Sequence, residues 1–229
     1  MKNGSVGFYG KLPIVGDFIT RRLPKDFVNS LDQWMQNGIT VSKEELQGDW
    51  LDLYLTAPIW RFAFQSGVCG EGAWVGIIMP SVDKVGRYYP LTLAYPLDKD
   101  DSLALILVKC SDWFGRLEDI ALAGLEESYN LDEFNDAVLE LGAPYLNFKQ
   151  HHKSNKPSDQ LTTHLVSEYH FIDKSITLAE AIMMASFEGT RCKESKYSLW
   201  INNGNEEELG AVKIFNGLPS AQDYSKMIG

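Results

Sequence analysis

The sequence predicts an α+β fold gathered into one domain, and three observations carry that reading. Apolar residues recur with helical spacing in some segments. In others they alternate or run continuously over short stretches bounded by turn residues, and such strand candidates stand at both ends of the chain. Because a lone two-stranded hairpin is marginal in water, the C-terminal strands must join the N-terminal ones. Length decides less, since 229 residues suit one large domain or two small ones. With 45% hydrophobic residues and six tryptophans, the chain carries enough apolar surface to offset the ordering cost of folding.

Val6 to Tyr9 reads as a short strand among Gly4, Gly7 and Gly10. It leads into GKLPIVGDF, Gly10 to Phe18, where the glycines signal close backbone approach or positive φ. Pro24 opens a helix with Phe27, Leu31 and Trp34 on one face and Gly38 as its stop. Ser42 and Glu45 have the spacing of a capping box for a second amphipathic stripe through Leu46, Trp50 and Leu53, ending before Pro58. The period then changes to two, and Trp60, Phe62 and Phe64 alternate with Arg61 and Ala63 as in a half-buried strand. Trp74 to Met79 and Leu91 to Tyr95 follow as an antiparallel pair joined by the wide loop PSVDKVGRYYP. Ser111 to Gly124 and Asn130 to Leu141 read as helices lying against the sheet, the second opened by an Asn130 and Glu133 capping box. From Gly142 to His170 the pattern fades, and the polar run Lys149 to Gln160 predicts an exposed, mobile loop near 147–160. Thr177 and Glu180 open a further helix bearing Leu178, Ile182 and Ala185 and closed by Gly189. Tyr197 to Asn202 and Ala211 to Phe215 form a last hairpin across an acidic turn.

Composition narrows the function classes. A formal charge of −10 lacks the basic footprint that nucleic acid or an anionic membrane surface demands, while it admits a basic protein partner. No stretch approaches the roughly 20 apolar residues of a membrane span, and no basic region followed by an apolar core stands at the start, so a cytoplasmic location is expected. Cys69, Cys110 and Cys192 are odd in number and far apart, which suits reduced thiols used for packing.

Gly10 and Lys11 follow a strand as in a phosphate-binding loop, but Ser5 stands where that motif needs glycine and Leu12 where it needs Ser or Thr. Adjacent His151 and His152, with His164 and His170 downstream, have no Cys or carboxylate at ligand spacing, so solvated histidines are expected and no metal or cofactor. No G-x-S-x-G elbow occurs and no cysteine lies in an activating context, which leaves no catalytic residue to name. What remains is polar residues on two loops, 10–18 and 80–90. Lys11 and Asp17 belong to the first, with Arg21 just beyond it; Ser81, Asp83 and Arg87 belong to the second. They either build a polar pocket for a small molecule or substrate, or order the turns, with carboxylates accepting from turn amides and arginines tethering the loops. The second reading is preferred, because no general base with a defined target is visible.

Three blocks carry a resemblance: GFYGKLPIVGDFITRRLP near the start, PSVDKVGRYYPLTLAYPL in the middle, and YSLWINN followed by NGLPSAQDYSKMI near the end. In order and separation they resemble the TagF (ImpM) family of type VI secretion systems over nearly the full chain. The resemblance implies one domain over 1–229, with a largely antiparallel sheet flanked by helices, longin-like in kind. It also implies a non-enzymatic role in negative post-translational control of secretion, exerted by binding the forkhead-associated scaffold protein of the system. It supplies no catalytic residues and leaves the oligomeric state open. Given the acidic balance, Glu126, Glu127, Asp132, Glu133 and Asp136 form a candidate acidic docking face for a basic partner, although a solvated helical face is the plainer reading.

Overall fold

A computed structural model of the protein describes residues 4–98, 101–126, 128–144, 166–170, 196–204 and 209–229. The strands are β1 (Gly7–Gly10), β2 (Ile19–Arg21), β3 (Trp60–Phe64), β4 (Ala73–Met79), β5 (Leu91–Leu97), β6 (Val166–His170), β7 (Tyr197–Gly204) and β8 (Leu209–Asn216). Among the described residues they make one sheet in the order β2-β1-β5-β4-β3-β7-β8-β6, antiparallel at every pairing. β7 pairs directly with β3, Leu199 facing Ala63 and Trp200 facing Phe62, so the C-terminal hairpin joins the N-terminal strands as the end-to-end distribution of apolar residues requires.

Helices cover both faces. α1 (Lys25–Leu46), α2 (Trp50–Thr56) and α6 (Ala221–Ile228) lie on one side; α3 (Leu103–Lys109), α4 (Ser111–Ala123) and α5 (Leu131–Leu141) lie on the other. Alternation along each strand therefore divides the apolar residues between two cores. Phe8, Ala63, Val75, Ile77, Leu93, Leu199 and Ile214 pack under α3 to α5, while Tyr9, Phe62, Phe64, Trp74, Trp200 and Phe215 pack under α1 and α6.

This layering corrects the half-buried reading of β3. All five of its residues are buried, because the face assigned to solvent is covered by α3 and, at Arg61, by α4. Arg61 is the polar residue that suggested exposure, and it is instead enclosed and paired with Glu118 of α4, with Nε–Oε1 2.6 Å and Nη2–Oε2 2.9 Å.

A second correction concerns α1, which runs unbroken through Gly38. A glycine within a helix costs only about 1 kcal/mol. Here it is needed for packing, since a Cβ would lie 2.5 Å from Cγ of Tyr224 on α6. Ser42 is likewise no cap: buried within the helix, its Oγ donates to the Ile39 carbonyl and accepts from Trp50 Nε1 at 2.8 Å. A 3-10 turn, Gln47–Asp49, then separates α1 from α2. The capping box at Asn130 and Glu133 is present, whereas β2, α3 and α6 went unread in the sequence. β6 lies inside the stretch where the pattern fades. The loop near 147–160, the helix opened by Thr177, Cys192, and His151, His152 and His164 fall outside the described residues, and His170 belongs to β6. Cys69 is buried, and burial with the nearby Asp26 charge pushes its thiol up to about 12, consistent with a packing role. No helix among the described residues is long and apolar enough to cross a membrane.

Candidate functional site

The 80–90 loop leaves β4 at Met79 and returns at β5, and its first task is to turn the chain. Asp83 N donates to the Arg87 carbonyl and Gly86 N to the Asp83 carbonyl, with Gly86 at φ +83°, a left-handed value that glycine adopts at no steric cost. The Asp83 carboxylate fills the inside of this turn. Oδ1 accepts from the amides of Val85 and Arg87 at 3.0 and 2.9 Å, and Oδ2 receives Arg87 Nε at 2.6 Å and Lys11 Nζ at 2.9 Å. Only 6% of the Lys11 side chain and none of the Asp83 side chain is exposed, while the Arg87 side chain remains 56% exposed.

The 10–18 loop is clasped onto this turn. Arg87 Nη2 donates to the Gly16 carbonyl at 2.7 Å, Lys84 N to the Val15 carbonyl at 3.1 Å, and Ser81 Oγ to the Lys11 carbonyl at 2.7 Å. Tyr54 of α2 fastens the base, its hydroxyl donating to the Ser81 carbonyl and accepting from the Ser81 amide. Beside it, the hydroxyls of Tyr9 and Tyr89 both donate to Oδ1 of Asp32 on α1, and Gln36 donates to Oδ2. Phe18 lies over this group, 5.9 Å from the Tyr9 ring and 4.7 Å from the Tyr89 ring.

Of the six loop residues singled out in the sequence, Lys11, Ser81, Asp83 and Arg87 therefore meet in one cluster. Asp17 and Arg21 do not join it: Asp17 accepts from the Phe18 amide and Arg21 donates to the Thr20 carbonyl, both at the surface. Arg22 points elsewhere, with Nε on the Val6 carbonyl and Nη1 on Asn135 of α5. Tyr9, Asp32, Tyr54 and Tyr89 complete the clasp and were not found by sequence reasoning. Their contacts span 23 to 57 positions, and no local pattern marks them. On the acidic face, Glu126, Asp132, Glu133 and Asp136 are exposed and Glu127 lies outside the described residues. Glu133 is engaged in the capping box.

Burial works against an ionised Asp83, but the Arg87 amide, Lys11 ammonium, Arg87 guanidinium and Val85 amide outweigh it and hold the carboxyl well below the usual carboxylate range. Asp32 is held low in the same way, its burial outweighed by donation from Tyr89, Tyr9 and Gln36. Burial and that carboxylate push both tyrosine hydroxyls far up, so they stay protonated donors. A carboxyl held below its unfolded value contributes stability that is complete above about pH 5 and is lost progressively as pH falls through the lowered folded value. Asp83→Asn retains an oxygen for the two turn amides but removes the charge facing Lys11. Its melting temperature is expected to drop by about 5 °C at pH 7 and by a smaller amount at pH 3, where the unfolded carboxyl is largely protonated while the folded one is still ionised. An equal drop at both pH values would show that the ionised carboxylate is not what the clasp depends on.

A family model described as the TagF N-terminal domain, type VI secretion system-associated, matches residues 7–141. Among solved structures, the crystal structure of PA0076 from Pseudomonas aeruginosa PAO1 is similar, with a TM-score of 0.72 and 33% sequence identity over 98% of this chain and 94% of that one. No match was found among curated proteins. The family match spans the clasp, α5 and the turn before it that carries Glu126, and the structural likeness extends over the C-terminal hairpin.

Proposed function

Because the chain belongs to the type VI secretion system-associated TagF family, we propose that it is a negative post-translational regulator of that system. It acts in the cytoplasm by binding the forkhead-associated scaffold protein, and it represses secretion by occupying that partner rather than by catalysis. The partner and the sign of the effect come from the resemblance of the three sequence blocks to the family. The observation that supports binding over turnover is the clasp itself. Lys11, Ser81, Asp83 and Arg87 spend their polar atoms on one another and on loop backbone, so the two loops hold each other in place instead of lining a recess with unengaged acids and bases.

Titration of the purified full chain into the purified scaffold, followed by calorimetry, is expected to give saturable binding of fixed stoichiometry. Raising the chain's level in cells carrying the system is expected to lower secretion in proportion. Failure to bind even at low salt and tens of micromolar protein would reject this partner. A small molecule that stabilises the wild type but not Asp83→Asn would instead favour a ligand site between the 10–18 and 80–90 loops.

A further inference from the structure

The outer side of the clasp combines two features. First, it exposes large apolar side chains: Phe18 is 45% and Val85 68% exposed, the latter the most exposed large hydrophobic residue among those described. Neither is loose. Phe18 packs against Tyr9 and Tyr89 with the Lys11 ammonium 4.9 Å from its ring centre, and the Val85 backbone is pinned by its amide on Asp83. Second, the charge is reversed. The 10–18 and 80–90 loops hold Lys11, Lys84 and Arg87 against Asp17 and Asp83, a balance of +1 in a chain of −10. Asp83 is enclosed, so of the loop charges Lys84 and Arg87 face solvent against Asp17, while Asp32 of α1, beneath Phe18, is engaged by Tyr9, Tyr89 and Gln36.

We propose that this clasp tip is the docking surface for an acidic segment of the partner protein, with an apolar side chain of that segment seated against Phe18 and Val85 and its carboxylates facing Lys84 and Arg87. The inference rests on the regulator reading and places its contact. Two physical arguments support it. The loops are already ordered by their internal bonds, so binding there forfeits little conformational freedom, which is what lets a small patch bind well. The net acidic balance of the rest of the chain disfavours an acidic segment elsewhere, while Lys84 and Arg87 give it a cationic contact here. The acidic face of α5 is the competing surface and would call for a basic partner instead.

The test uses three full-length proteins, the wild type, Lys84→Glu with Val85→Ser, and Asp132→Lys with Asp136→Lys, each titrated against the purified forkhead-associated scaffold at low and high salt. All four substituted side chains are exposed, and melting curves check that each variant is folded. The loop variant is expected to bind at least ~10-fold more weakly, with the salt dependence reduced, and the α5 variant to bind like the wild type. Undiminished binding by the folded loop variant would overturn the clasp-tip surface while leaving the regulator reading intact. A loss confined to the α5 variant would do the same and move the contact to the acidic face. No binding by the wild type would reject both readings together.

Discussion

Glu118→Ala is expected to destabilise the protein by about 3 kcal/mol, the scale seen when one member of a buried ion pair is removed and the other charge is left behind. Arg61 sits at the centre of the sheet with a side chain 5% exposed, and Glu118 on α4 is 20% exposed. The pair is bidentate, and the Arg61 guanidinium also stacks 5.1 Å from the Phe114 ring, so its charge is met by residues of α4. Truncating the glutamate leaves a desolvated cation on β3 between apolar residues of the α4-side core. Replacing both, as Arg61→Met with Glu118→Leu, removes the charges together and is expected to recover most of the loss, because the attraction within a buried pair does little more than offset its desolvation. Chemical denaturation of the two variants separates these outcomes. A single variant within about 0.5 kcal/mol of wild type would mean that Arg61 finds solvent or another acceptor, and that the pair is not what joins α4 to the sheet.

The elements most legible in the sequence are those whose signal is local. The capping box at Asn130, the alternating strands and the hairpin partners β4–β5 and β7–β8 all follow from neighbours a few positions apart. The errors at Gly38 and Ser42 share one cause: residues that usually end or begin a helix were placed inside α1 by contacts with Tyr224 and Trp50, which lie 186 and 8 positions away. β3 was misread for a related reason. A sheet covered on both faces can enclose an arginine provided a carboxylate meets it, and nothing near Arg61 in the chain announces Glu118. At the site, the polar residues of the two loops could be picked out because aspartate, arginine and glycine are turn formers. Their mutual engagement, and the tyrosines fastening them from beneath, are products of tertiary structure. The exposed Phe18 and Val85 were invisible for the opposite reason, since no rule of composition says which apolar residues a fold will leave outside.

Gly10→Ala is expected to be the most damaging single-methyl change in the clasp, costing about 4 kcal/mol when backbone strain and overpacking are taken together. The sequence suggested close approach or positive φ in this loop, and Gly10 meets both conditions. Its φ is +136°, and a Cβ would lie 2.1 Å from the Pro90 carbonyl oxygen and 2.9 Å from the Leu91 Cα. Those are backbone atoms at the start of β5, so no side-chain rotation can relieve the clash; β1 and β5 must separate where Tyr9 faces Thr92. Lys11 follows immediately, and any shift there withdraws its carbonyl from Ser81 and its ammonium from Asp83. The damage should thus begin at the clasp and the β1–β5 pairing while the β3–β4 and β7–β8 ladders stay protected, a pattern that amide hydrogen exchange reads directly. Gly16→Ala is the control, because nothing lies within 4 Å of its added methyl and its φ is not in the left-handed range. That variant should melt at or slightly above the wild-type temperature, since alanine restricts the unfolded chain more than glycine does. If Gly10→Ala instead melted with the wild type and left exchange in the 80–90 loop unchanged, the tight approach of β1 to Pro90 could not be what sets the position of Lys11 in the clasp.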